Sequence, residues 1–69
     1  MKMYRRIRDL REDKDLSQAD VAEILHVSQP TYSRYESGML DVPSAVLVAL
    51  AKYYGVSVDY LLGLKDTSK

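Results

Sequence analysis

The chain has 69 residues, 46% of them hydrophobic, and no cysteine, so it allows one small domain held by packing and excludes disulfides, a Cys-x-x-Cys metal site and a thiol nucleophile. No apolar run approaches the ~20 residues that a bilayer crossing needs, and Arg5, Arg6, Asp9, Arg11 and Glu12 interrupt any apolar region behind the basic start, which argues against a signal peptide and leaves a cytoplasmic location as the expectation. Ten basic and ten acidic residues cancel formally, but residues 1–11 carry Lys2, Arg5, Arg6, Arg8 and Arg11 against Asp9 alone; on charge alone, a basic face for phosphates and an ordinary solvated face with local pairing fit equally well.

The first helix is expected over residues 3–14, with Met3, Ile7 and Leu10 at i, i+4 and i+7 as its buried stripe. Leu16-Ser17-Gln18 then opens a second helix running to Leu25, which should bury Val21, Ile24 and Leu25, with Ala22 allowing a close neighbour. The same start signal returns eleven residues later as Val27-Ser28-Gln29. In each copy the serine can cap orphan backbone N–H groups while the preceding apolar residue staples forward, Leu16 to Val21 and Val27 to Tyr32. Two short helices joined by a tight turn at His26-Val27-Ser28 make a helix-turn-helix.

The third helix is expected from Gln29 to Ser37, with Pro30 in the first turn, where its missing N–H costs nothing, and Gly38 as the stop. At about 100° per residue, Thr31, Tyr32 and Tyr35 fall on one side, while Gln29, Pro30, Ser33, Arg34 and Ser37 form a polar side and Glu36 sits at the border. After the loop 39–43, Ser44 should cap a fourth helix, whose Val46, Leu47, Val48, Leu50 and Ala51 make it the central buried one before Gly55 ends it. A third start signal, Val56-Ser57 with a staple to Leu61, opens a short fifth helix ending near Gly63, followed by a disordered tail at 65–69. Nothing alternates with period two, so the expected class is all-α, with no strand.

The second helix of such a pair enters the DNA major groove with its first residues at the base edges, which singles out Gln29. Other chemistry has little support. His26, the single histidine, has no ligand partners around it, so no metal site is expected, and there is neither a Gly-rich phosphate loop nor a nucleophile with a histidine beside it. No enzymatic activity and no cofactor are expected. The tyrosines at 32, 35 and 60 fall at core positions rather than forming a base-stacking platform. Tyr60, Leu61, Leu62 and Leu64 crowd a helix too short to bury them all, which points to a homodimer interface.

Ile7-Arg8-Asp9-Leu10-Arg11, the two Ser-Gln starts, Val21-Ala22, Tyr32-Ser33-Arg34-Tyr35-Glu36-Ser37-Gly38, Pro43, Leu50-Ala51 and the run from Gly55 to Gly63 together resemble the lambdoid phage repressor and Cro family, the xenobiotic-response-element type of helix-turn-helix regulator. The resemblance implies a compact five-helix, lambda-repressor-like domain over residues 1–64 that binds double-stranded operator DNA at a palindromic site, as a repressor acting by occupancy. It also implies site residues. Gln18 would bond a phosphate and brace Gln29 for adenine, Arg34 would read guanine, and Pro30 and Ser33 would lie at neighbouring base positions. Ser28, Arg8 and Arg11 would join Gln18 on phosphates, and Arg11 with Glu36 would form a partly buried ion pair that sets the angle of the third helix. The sequence departs from the family pattern at His26, where glycine is common, and in Met39-Leu40-Asp41-Val42, a loop frequently basic in the family. The acidic loop favours the alternative reading, an antitoxin or adaptor of the same fold that binds protein.

Overall fold

Three serines open three of the helices, each bonding the amide three residues on. In the computed structural model, which describes residues 4–66, Ser17 accepts from the Asp20 amide at 3.0 Å, Ser28 from Thr31 at 3.2 Å and Ser57 from Tyr60 at 3.0 Å. The Ser17 amide in turn donates to the Asp20 carboxylate at 2.9 Å, completing a capping box. That amide and then the Ser17 hydroxyl hold the Asp20 carboxyl below its usual range. The residues before the serines, Leu16, Val27 and Val56, pack against the core.

Five helices result: α1 Arg5–Asp13, α2 Gln18–Leu25, α3 Gln29–Ser37, α4 Ser44–Tyr54 and α5 Val58–Leu61, with no strand among the described residues. Lys2, Met3 and residues 67–69 of the expected tail lie outside the described residues. The turn between α2 and α3 rests on His26, which takes the left-handed conformation at φ 59° and ψ 39°. Histidine tolerates that region better than most residues, and the Val27 amide then reaches back to the Ala22 carbonyl at 3.0 Å. Gly38, at φ 81°, ends α3 in the same conformation.

Ile7, Val21, Tyr32, Leu50 and Leu61 are completely buried, and Ala22, Tyr35, Val42, Leu47, Ala51 and Tyr54 complete the core around them. Two residues expected inside are not. Ile24 is 37% exposed and Val48 45% exposed, because each lies about 100° around its helix from the centre of the inward face, which Val21, Ala22 and Leu25 define on α2 and Leu47, Leu50, Ala51 and Tyr54 on α4.

The start of α4 differs as well. Pro43, not Ser44, occupies the N-cap, without a side-chain cap bond. Its extended backbone places its carbonyl to accept from the Val46 and Leu47 amides, both at 3.0 Å. Ser44 is thereby already the first helical residue, where its hydroxyl has no N-cap role.

The C-terminal patch is smaller than expected. The staple from Val56 turns Leu61 into the core at 1% exposure, so Leu61 is no interface residue; Tyr60 and Leu62 are half-buried, and only Leu64, at 70%, is fully presented. Leu61→Ala should therefore destabilise the fold by about 2–5 kcal/mol in urea unfolding, as a core truncation does, whereas Leu64→Ala should stay within about 0.5 kcal/mol.

Candidate nucleic-acid interface

The outer face of α3 is bare. Gln29, Pro30, Arg34 and Ser37 are exposed and Ser33 is half-buried. The Ser37 hydroxyl donates to the Arg34 carbonyl at 3.2 Å, but the Gln29 amide, the Ser33 hydroxyl and the Arg34 guanidinium have no partner among the described residues. Donors and acceptors of this kind, left free along one helix face, are what base edges in a groove can use.

The inner face is fully committed. Tyr32 and Tyr35 stack edge to face with ring centroids 6.5 Å apart, and Glu36, expected at the border, is buried at 6% exposure. Its carboxylate collects bonds from three helices. From α1, Arg11 donates through Nε to Oε2 at 2.7 Å and through Nη2 to Oε1 at 3.2 Å. From α2, Gln18 Nε2 donates to Oε1 at 3.2 Å. From α3 itself, the Tyr32 hydroxyl donates to Oε2 at 2.5 Å. Burial pushes the Glu36 carboxyl up, but the bonds from Arg11, Tyr32 and Gln18 outweigh it and hold the group below the usual range. Burial, and then the bond to Glu36, push the Tyr32 phenol far above its ordinary value. Tyr54 lies close enough to feel the same charge: its hydroxyl is buried with no hydrogen-bond partner among the described residues, and burial first, then Glu36, raise it to about 12.

This cluster alters several expected roles. Arg11, expected on a phosphate, is mostly taken up inside: its third nitrogen donates to the Leu16 carbonyl at 2.8 Å and its side chain is only 13% exposed. Its pairing with Glu36, by contrast, is present and bidentate. Gln18 does not brace Gln29. Its amide turns inward to Glu36, a contact invisible to spacing arguments because it joins residues 18 apart in sequence.

The basic face of α1 is largely neutralised. Arg6 lies 3.8 Å from Asp66, Arg8 lies 3.4 Å from Glu12, and Arg11 is consumed by Glu36, which leaves Arg5 as the α1 arginine without an ion pair among the described residues. The pair made by Arg8 is well exposed on both sides and so holds its guanidinium weakly. A groove of about 510 Å³ between α1 and α3 takes Arg5, Arg8, Gln18, Ser33 and Ser37 into its walls together with the carboxylates of Asp9 and Glu12, and Arg11 and Glu36 also line it. His26 is exposed on its turn, and no group of His, Cys, Asp or Glu among the described residues could hold a metal ion. No helix among them is long and apolar enough to cross a membrane.

The chain is similar to known proteins. A family described as Helix-turn-helix matches residues 7–61. Over 93% of its length the chain is 42% identical to the HTH-type transcriptional regulator YobD of Bacillus subtilis, and over 91% it is 38% identical to the cryptic phage CTXphi transcriptional repressor RstR of Vibrio cholerae. It spans 58% and 57% of those two proteins, little more than half the length of the relatives it matches. Among solved structures, the P22 c2 repressor protein in complex with synthetic operator 9T matches with a TM-score of 0.80 and 29% identity, covering 94% of this chain and all of that one.

Two measurements probe the buried carboxylate. Arg11→Ala and Glu36→Ala should each destabilise the fold by up to about 3–5 kcal/mol, with a strong interaction term in a double-mutant cycle; additive losses below ~1 kcal/mol would mean two independent charges. Acid should act through the same group. Because the folded Glu36 carboxyl lies below its unfolded value of about 4.3, its stabilising contribution is complete above that value and is lost as pH falls through the folded one. Glu36→Gln should therefore flatten the acid limb of a stability-versus-pH curve, and an unchanged limb would contradict the assignment.

Proposed function

This chain belongs to the helix-turn-helix family, and we propose that it is a sequence-specific double-stranded DNA-binding regulator of transcription, most simply a cytoplasmic repressor that acts by occupying its operator. The observation that carries this reading is the contrast within α3, with Tyr32, Tyr35 and Glu36 buried on one face and the Gln29, Ser33 and Arg34 side chains exposed or half-buried on the other, without a partner among the described residues. An α-helix with its side chains is about 10–12 Å across, which a major groove about 12 Å wide admits. The names of RstR, a repressor, and of the P22 c2 repressor, solved with its operator, favour the same reading.

In that pose Arg34 reads guanine through its bidentate guanidinium and Gln29 reads adenine, while Pro30 touches a thymine methyl and Ser33 a base or phosphate. Ser28 and Gln18, at the starts of the two helices, meet the phosphate backbone with Arg8, and the unpaired Arg5 joins them. A two-fold dimer built on Leu64 and the exposed edges of Tyr60 and Leu62 presents two recognition helices to a palindrome with half-sites ~34 Å apart. No cofactor is invoked.

Selection from a random duplex library should yield a palindromic site. On that site Arg34→Ala and Gln29→Ala should each cost about 1–3 kcal/mol and relax specificity at one base position. Equal weakening on specific and random DNA would remove the base-reading role. With roughly two free cations per protomer, affinity should fall on the order of tenfold per protomer between about 50 and 200 mM salt. No selected site together with a flat salt response would instead favour the protein-binding adaptor.

A further inference from the structure

Arg6 turns away from α3 and grips the other end of the molecule. Its Nη1 donates to the Tyr60 carbonyl at 2.9 Å and to the Lys65 carbonyl, its guanidinium carbon lies 4.3 Å from the centre of the Tyr60 ring, and Nη2 lies 3.8 Å from the Asp66 carboxylate. The Asp66 side chain is fully exposed, so that ion pair adds little, and the carbonyl bonds and the ring make the grip. The four-residue α5 gains from Arg6 a hydrogen-bond donor and a positive charge at its carbonyl end.

Arg11 sits five residues further along the same helix, about 7.5 Å up the axis and about 140° around it, and holds Glu36 of α3. Between these two clamps α1 buries a single side chain completely, Ile7. Leu10, three residues on, packs against the core as well, and two apolar contacts so close together leave the tilt of a nine-residue rod to its polar clamps, so the two arginines set its orientation.

We propose that α1 is a lever coupling the segment 64–66 to the recognition helix: when that segment is pulled off Arg6, α1 reorients, carries Arg11 and Glu36 with it, and DNA affinity drops. The input is thus displacement of Lys65 and Asp66, and the output is the pose of α3. The proposal rests on the DNA-binding reading for its consequence, but not for the mechanical coupling.

The test uses the 69-residue chain, the variants Arg6→Met and Arg6→Lys, a truncation after Leu64, and the double variant of Arg6→Met with the truncation. Binding to the selected duplex is followed at two salt concentrations, and backbone amide shifts are recorded without DNA. Arg6→Met and the truncation should each weaken specific binding about 3- to 10-fold, with unchanged salt dependence, and the double variant should be no weaker than either. Arg6→Lys should recover part of the affinity. Amide shifts should move at Tyr35–Ser37, beyond the 57–66 region. Unchanged affinity, additive losses, or a shallower salt slope, which marks a direct phosphate contact by Arg6 or Lys65, would overturn the lever. If the parent chain binds no duplex, the DNA reading fails; the lever then stands or falls on whether the amide shifts reach α3 or remain within 57–66.

Discussion

A carboxylate taken out of water has to find its donors inside the protein, and in this fold the donors that Glu36 finds define how three helices meet. A buried ion pair is a poor source of net stability compared with well-packed apolar groups. Its contribution is directional. Methyl groups on Val21 or Leu50 bring helices together at a given distance without selecting an angle, whereas Arg11, Gln18 and Tyr32 must point at two oxygens of one group. A helix that leaves one face bare for a partner can be held only from the other, and on α3 that other face offers Tyr32, Tyr35 and Glu36.

The cost of this arrangement falls on electrostatics. Of the arginines on α1, Arg11 is used up inside, Arg6 is engaged at the C-terminal end, and Arg8 shares its charge with Glu12. The loop after α3 holds Asp41 and no cation. In the proposed function, such a surface has weak attraction for DNA in general, because non-specific binding is mostly phosphate charge. Discrimination then comes from Gln29 and Arg34 at the base edges. A formally neutral chain is thus compatible with selective binding, at the expense of a fast electrostatic search.

Local chemistry was readable in the residues; the destination of long side chains was not. The serine starts at 17, 28 and 57, the left-handed His26 and the stop at Gly38 follow from interactions that span three or four residues, and the structure has all of them. Ser44 misled because Pro43 before it already has the extended backbone of a cap. Ile24 and Leu61 show that apolar periodicity counts hydrophobic residues better than it assigns them to a face when helices are as short as α2 or α5, and Val48 shows the same on α4, where the unbroken apolar run Val46-Leu47-Val48 marks no face. Charge was harder. Arg11 was legible as a partner of Glu36 only through the family resemblance, and that same pairing turns most of its guanidinium inward. The inward turn of Gln18 and the reach of Arg6 to Tyr60, 54 residues away, left no mark in any local pattern.

Native-state hydrogen exchange of the parent chain and of Glu36→Gln, compared amide by amide, addresses the central claim that this carboxylate holds the recognition helix. In the parent chain the amides of α3 should exchange with the same opening free energy as those of α4, because neither opens without the whole domain. In Glu36→Gln the loss of protection should concentrate in α3 and the facing ends of α1 and α2, leaving α4 last to open. A small loss spread evenly over all the helices, or an α3 that already exchanges through local opening in the parent chain, would contradict the account.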